Sequence, residues 1–157
     1  MQKHTTLITG AGVRIGAMLA GHLAAQGHDL VLHYHRSGDA AKALAEDLTA
    51  RHGTKVTLVQ ADLEHLESVD AFWQNLPPVT TIIHNASHYA RDTVTDFTPE
   101  QLRRHMAVNL EAPLILTQGF LKQLPATTEG NVIVLGDGAH GWSISPHFFT
   151  YAASKFV

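Results

Sequence analysis

Apolar residues fall along this chain in short blocks, separated by longer segments where they recur every three or four positions. TTLIT (Thr5–Thr9), LVLHY (Leu30–Tyr34), VTLVQ (Val56–Gln60), TIIH (Thr81–His84) and NVIVL (Asn131–Leu135) are aliphatic and β-branched. Each is too short for a helix and predicts a strand. Between them, Ile15–Gln26, Asp39–His52 and Leu66–Leu76 carry helical spacing. Gly27 and Gly53 stop the first two, Asp39 is placed to cap the second, and Pro77-Pro78 closes the third. Thr98-Pro99-Glu100 reads as a cap followed by a first-turn proline, opening two helical stretches that run to Leu124. A last helix is predicted to begin at Tyr151.

Strands that alternate with helices and show little polar alternation predict a parallel sheet covered on both faces. Right-handed crossovers make this a doubly wound α/β domain, the Rossmann fold. Ligands of such sheets bind beyond the carboxyl ends of the strands, at the switch point between the first and fourth. At 157 residues the chain is one domain, and it contains no repeat, low-complexity tract or linker.

Composition narrows the function classes. Apolar residues make up 45% and charged residues 16%, a globular balance. A formal charge of -3 gives no reason to expect nucleic acid or an anionic membrane as partner. The absence of cysteine rules out disulfides and thiolate zinc sites. The amino terminus enters a strand with no apolar signal region, and no stretch approaches a membrane span, so a cytoplasmic protein is expected. Twelve histidines are the unusual feature. The pairs His33/His35 and His84/His88 lack a carboxylate to complete a ligand set, so no metal is expected. These imidazoles read as solvent-facing or ligand-facing.

Candidate chemistry lies at the strand ends. TGAGVRIG (Thr9–Gly16) places Gly10, Gly12 and Gly16 in a strand-to-helix turn, where backbone must approach a pyrophosphate closely. Arg14 stands where a further glycine is expected. The second strand ends LHYHRS with no acid to bind a ribose 2′-hydroxyl. His35, Arg36 and Ser37, with Arg14, instead suit a 2′-phosphate; the alternative is a solvated basic turn. Asp62 reads either as an acceptor for an adenine amino group, with Leu63 beside the ring, or as a helix cap. Tyr151 and Lys155 form a YxxxK pair on one helical face, where an ammonium would lower the phenol's pKa and make it a general acid.

TGAGVRIG, Asp62-Leu63, His84-Asn85-Ala86-Ser87, Asn109 in VNLEAP and YAASK occur in this order over almost the whole chain. In this the sequence resembles the short-chain dehydrogenase/reductase superfamily. The resemblance implies NADPH contacts from Gly10, Arg14, Ile15, Gly16, His35, Arg36, Ser37, Asp62, Leu63, Asn85, Ala86, Ser87, Tyr151 and Lys155. Lys155 would bind the nicotinamide ribose, and Asn109 would hold the water and backbone network behind the site.

Within the superfamily the chain is most similar to pteridine reductases and the related dihydromonapterin or dihydrofolate reductases. They share the loop arginine, an HYHRS-like segment, NAS for NAG, and an aspartate in place of the usual serine. The resemblance implies that here that aspartate would be Asp137, delivering a proton with Tyr151, while Ser87 and Tyr89 would contact the pterin. Asp137 lies fourteen positions before Tyr151, one more than the usual spacing, and strict spacing would put Gly138 there instead. The strand pattern of VIVLGD favours Asp137.

The implied function is NADPH-dependent reduction of a ring C=N bond in a pterin or dihydrofolate-like substrate. A carbonyl or acyl-thioester reductase and a non-catalytic NADP-binding module are the alternatives. The chain stops two residues after Lys155, before the later strands of such proteins, and is expected to be part of a longer, homo-oligomeric (tetrameric or dimeric) protein.

Overall fold

The computed structural model describes residues 4–66, 69–137 and 146–155. β1 (Thr5–Ile8) lies at the centre of a parallel sheet, between β2 (Asp29–Tyr34) and β4 (Thr81–His84). β3 (Val56–Gln60) lies outside β2 and β5 (Asn131–Val134) outside β4. The order β3-β2-β1-β4-β5 reverses direction between β1 and β4, so the doubly wound Rossmann fold is confirmed.

Register explains why the strands are apolar throughout. Leu7 pairs with Val31 and Ile82, and Ile8 pairs with Leu32 and Ile83, so neighbouring rows face opposite ways. The first row packs on α3 (Val69–Trp73) and α5 (Ala112–Gln123) through Phe72, Trp73, Leu116 and Phe120. The second packs on α1 (Arg14–Ala25) and α2 (Gly38–His52) through Ala20, Ala24 and Leu48. Each large side chain buried in these layers contributes about 1.5–3 kcal/mol. Among the described residues β3 and β5 are the edge strands, and on β5 Val132, Ile133 and Val134 remain 42%, 47% and 59% exposed. No helix among the described residues is long and apolar enough to cross a membrane.

Strand positions agree with the apolar blocks to within one residue. Gly53 ends α2 in the left-handed conformation (φ +64°), as a helix-stopping glycine does. Asp39 is not the cap: α2 begins at Gly38 after Ser37, and Asp39 sits in the first turn, where its charge complements the helix dipole. Of the helix expected over Leu66–Leu76 the described residues show α3 at Val69–Trp73, preceded by a separate 3₁₀ turn at Leu63–His65 that the Asp62 carboxylate caps by accepting from the Glu64 amide. Thr98 caps α4 (Pro99–Met106) in a reciprocal capping box with Gln101. The two stretches through Leu124 are one continuous rod, with a π-helical segment at Ala107–Glu111 between α4 and α5. α6 (Phe149–Lys155) starts two residues before Tyr151.

Candidate active site

A cleft of about 810 Å³ opens at the carboxyl ends of the strands. Its floor is built by ties between β1, β2 and β4. The Thr9 hydroxyl accepts from the Asn85 and Ala86 amides, both at 3.0 Å. The Asn85 carboxamide donates to the Thr9 carbonyl at 2.9 Å and the Gly10 carbonyl at 3.0 Å. The Gly10 amide donates to His33 Nδ1 at 3.1 Å, so His33 carries its proton on Nε2, which donates to the Ala61 carbonyl at 3.1 Å. The glycine loop is thereby pinned to three strands.

The loop fits a phosphate cradle. A side chain at Gly16 would collide with the Gly10 carbonyl and come within 2.8 Å of Ala11 Cα, and one at Gly12 would meet Ser37. Val13 at the α1 N-cap makes no side-chain cap bond, so no side chain competes for the helix's first amides. Arg14 has φ +53°, a conformation that favours glycine and costs another residue about 1–3 kcal/mol. The arginine therefore occupies a backbone position shaped for glycine.

Arg14, Ile15 and Gly16 line this end of the cleft, as do His35, Arg36 and Ser37 at the end of β2. Asp62 caps the 3₁₀ turn, as its helix-cap reading expects, and it also lines the cleft with Leu63, 3.5 Å from His35 Nε2.

At the other end Tyr151 donates to Asp137 Oδ2 at 3.0 Å. The structure thus brings Asp137 to the phenol despite the longer spacing; Gly138 lies outside the described residues. Tyr89, 58% exposed, stacks on Phe148 at 4.4 Å and meets the Tyr151 ring in a T-shaped contact at 4.7 Å. Ser87, Ala86 and Asn85 complete this wall.

Asn109 sits in the π-helical segment, is buried, and lies behind the cleft. Its oxygen accepts from the Ser87 hydroxyl at 3.1 Å and the His88 amide at 2.8 Å. Its nitrogen donates to the His88 carbonyl at 3.0 Å and Ser154 Oγ at 2.8 Å. Asn109 is thus a clamp between the β4 loop and α6.

Two electrostatic expectations are corrected. The Tyr151 phenol is pushed up to about 12, by burial first and then by its bond to the Asp137 carboxylate. Lys155 does not lower it: Lys155 Nζ donates to the Leu135 carbonyl at 3.2 Å, and burial pushes the amine below its ordinary value. The second concerns the histidines. His33 (2% exposed) and His84 are buried, not solvent-facing, although His33, His35 and His88 do line the cleft; burial lowers the pKa of His33 and His84 to about 4, and lowers that of the buried His105 as well.

Sequence reasoning also missed Arg104, which lines the cleft and donates to Glu64 at 2.8 Å. Its place on the exposed side of a helix has no sequence signature that distinguishes it from any solvated arginine.

The short chain dehydrogenase family model matches residues 4–157. The uncharacterized oxidoreductase YmfI of Bacillus subtilis is 29% identical over 132 residues, covering 83% of this chain and 54% of that protein. Pteridine reductase 1 of Leishmania tarentolae is 45% identical over 60 residues, 38% of this chain and 21% of that protein. Among solved structures, FolM alternative dihydrofolate reductase 1 from Brucella suis, in complex with NADP, superposes with a TM-score of 0.86 at 33% identity. The match covers 97% of this chain and 64% of that one. The chain spans about half the length of the first curated relatives it matches. By the family match over nearly its entire length, and by a sheet order and strand-end site that agree with it, the chain belongs to the short-chain dehydrogenase family.

Proposed function

We propose that this chain forms the cofactor-binding and catalytic part of an NADPH-dependent oxidoreductase that reduces a ring C=N bond in a pterin or dihydrofolate-like substrate. The observation that carries the reading is the 3.0 Å bond between Tyr151 and Asp137, beside the aromatic pair Tyr89–Phe148. The likeness to FolM and pteridine reductase 1 supports the substrate class.

NADPH bound in the cleft supplies the hydride. The uncapped amides of α1 and the loop closed at Gly16 suit its pyrophosphate. Arg14, Arg36, His35 and Ser37 hold its 2′-phosphate, and Lys155 holds the nicotinamide ribose. Tyr151 keeps its proton throughout the neutral range, because burial and the Asp137 carboxylate both favour the neutral phenol. The pair therefore stores a proton where a ring nitrogen would collect it, and Tyr89 offers a flat surface for an aromatic substrate. A carbonyl oxygen needs only the phenol, so Asp137 separates the two chemistries.

An Asp137→Ala enzyme, assayed with dihydrobiopterin and with a simple ketone, tests this. Pterin reduction is expected to fall about 10²-fold or more, with ketone reduction little changed. Full pterin activity in the variant overturns the reading. For the cofactor, Arg36→Ala or Arg14→Ala is expected to weaken NADPH about tenfold or more, since a charge-assisted bond contributes about 1.5–3 kcal/mol. NADH affinity should stay constant in the same titration, and unchanged NADPH affinity excludes the 2′-phosphate role.

A further inference from the structure

Behind the aromatic wall, and outside the cleft lining, lie three buried polar side chains that the chemistry above does not use: Asp92 after β4, His105 on α4 and Thr150 on α6. Asp92 is 5% exposed, and His105 and Thr150 are fully buried. A buried carboxylate is costly unless its oxygens are satisfied. Here the Thr150 amide donates to Asp92 Oδ1 at 3.0 Å and the Thr150 hydroxyl donates to Asp92 Oδ2. The same hydroxyl oxygen lies 2.8 Å from His105 Nδ1, which is 3.0 Å from the Gln101 carbonyl. On the other side of the ring, Nε2 accepts from the Ala90 amide at 3.3 Å.

Hydrogen-bond directions then follow. With Nε2 an acceptor, the neutral ring carries its proton on Nδ1, shared between Gln101 and Thr150. The threonine hydroxyl accepts from the ring and donates to the carboxylate. Along the path from the Ala90 amide through His105 and the Thr150 hydroxyl each donor points toward Asp92, with the Gln101 carbonyl as a side branch at Nδ1.

The chain joins the elements that carry the wall. Asp92 forms a parallel bridge with Phe148, through its amide to the His147 carbonyl at 3.2 Å and its carbonyl to the Phe149 amide at 3.4 Å. Phe148 stacks on Tyr89, and Thr150 immediately precedes Tyr151. The His105 ring lies edge-on to Tyr151 at 6.2 Å.

We propose that Asp92, Thr150 and His105 form a hydrogen-bond chain that positions Tyr151 relative to Tyr89 and so aligns the proton donor with the substrate platform. They are positioning residues, and touch neither substrate nor cofactor. The inference rests on the reading of Tyr151 as proton donor and Tyr89 as substrate platform. An asparagine at 92 has one acceptor oxygen where the carboxylate has two, so either the Thr150 amide or its hydroxyl meets an N–H. If the hydroxyl turns to His105, the ring proton must move to Nε2, against the Ala90 amide.

The test compares Asp92→Asn, Thr150→Val and Thr150→Ser in the full-length protein, with ¹⁵N shifts of His105 and ¹³Cζ titration of Tyr151 as readouts independent of turnover. The parent is expected to show the Nδ1–H tautomer. Asp92→Asn and Thr150→Val are expected to displace the Tyr151 titration and to lower kcat/KM about tenfold or more. NADPH affinity should stay within about twofold in both, and Thr150→Ser should restore both readouts. An Nε2–H tautomer in the parent overturns the proposal. So does a Tyr151 titration unmoved by Thr150→Val, or a Thr150→Ser protein no better than Thr150→Val. If the larger changes prevent folding, the parent tautomer and the Thr150→Ser protein still decide. A parent that binds NADPH but reduces nothing removes the proposed function, while the two NMR readouts still decide whether the chain exists and holds Tyr151.

Discussion

A Tyr151→Phe protein is expected to lose about 10²–10⁴-fold in NADPH-dependent turnover while binding NADPH within about threefold of the parent. The substitution removes one oxygen and leaves the ring, whose contacts with Tyr89 at 4.7 Å and His105 at 6.2 Å do not depend on the hydroxyl. The hydroxyl is therefore separable from the packing that orders α6. A general acid must hold its proton at working pH, and the phenol does so with a wide margin at about 12. Single-turnover absorbance of NADPH, with cofactor affinity from a separate fluorescence titration, measures both quantities. Turnover within tenfold of the parent would remove Tyr151 from the chemistry.

Acid is the second large effect. Lowering the pH from 6.5 to 4 is expected to cost about 3 kcal/mol of folding stability for each of His33 and His84. Both imidazoles have folded values near 4, well below 6.5, because burial opposes their charging. Above 6.5 both states are neutral and the full stability is present. As the pH falls the unfolded chain binds protons first, and the native state loses ground until its own imidazoles titrate near 4. Geometry reinforces the sign. A proton on His33 Nδ1 would face the Gly10 amide that now donates to it. His84 bonds Thr117 through Nε2 at 2.9 Å, and its Nδ1 is buried with no partner among the described residues. Urea unfolding at half-unit pH intervals should show this loss, and His33→Gln and His84→Gln should each remove about half of it. A variant with an undiminished pH slope would show that its histidine is not the titrating group. Cofactor affinity should fall in the same window, since His33 holds the Gly10 loop.

The order of elements was legible because a parallel strand covered on both faces needs apolar side chains on both. Leu7 and Ile8, adjacent in sequence, each enter a different core layer. The same property hid the histidines. In a strand that is apolar on both faces, periodicity carries no label for solvent, so His33 and His84 looked no different from His35. Burial of the first two depends on Phe72, 6.0 Å from the His33 ring, and on Thr117, neither of which is near them in sequence.

The glycine loop, the basic end of β2 and the Tyr-Lys pair were written locally. Each needs residues within one turn or one strand end, and short-range geometry follows directly from spacing. Arg14 is the exception within that local set: only the fold reveals that it sits at φ +53°. The long-range decisions were tertiary. Asp137 meets Tyr151 across fourteen positions of chain, Lys155 turns to the Leu135 carbonyl, and Asp92, His105 and Thr150 converge from three elements. Thus the sequence by itself determined the sheet and its strand-end loops, and it named the candidate groups at their ends. The tertiary structure decided their partners and proton affinities, because these depend on desolvation and on which dipoles face a buried group, and both arise only when distant elements pack together.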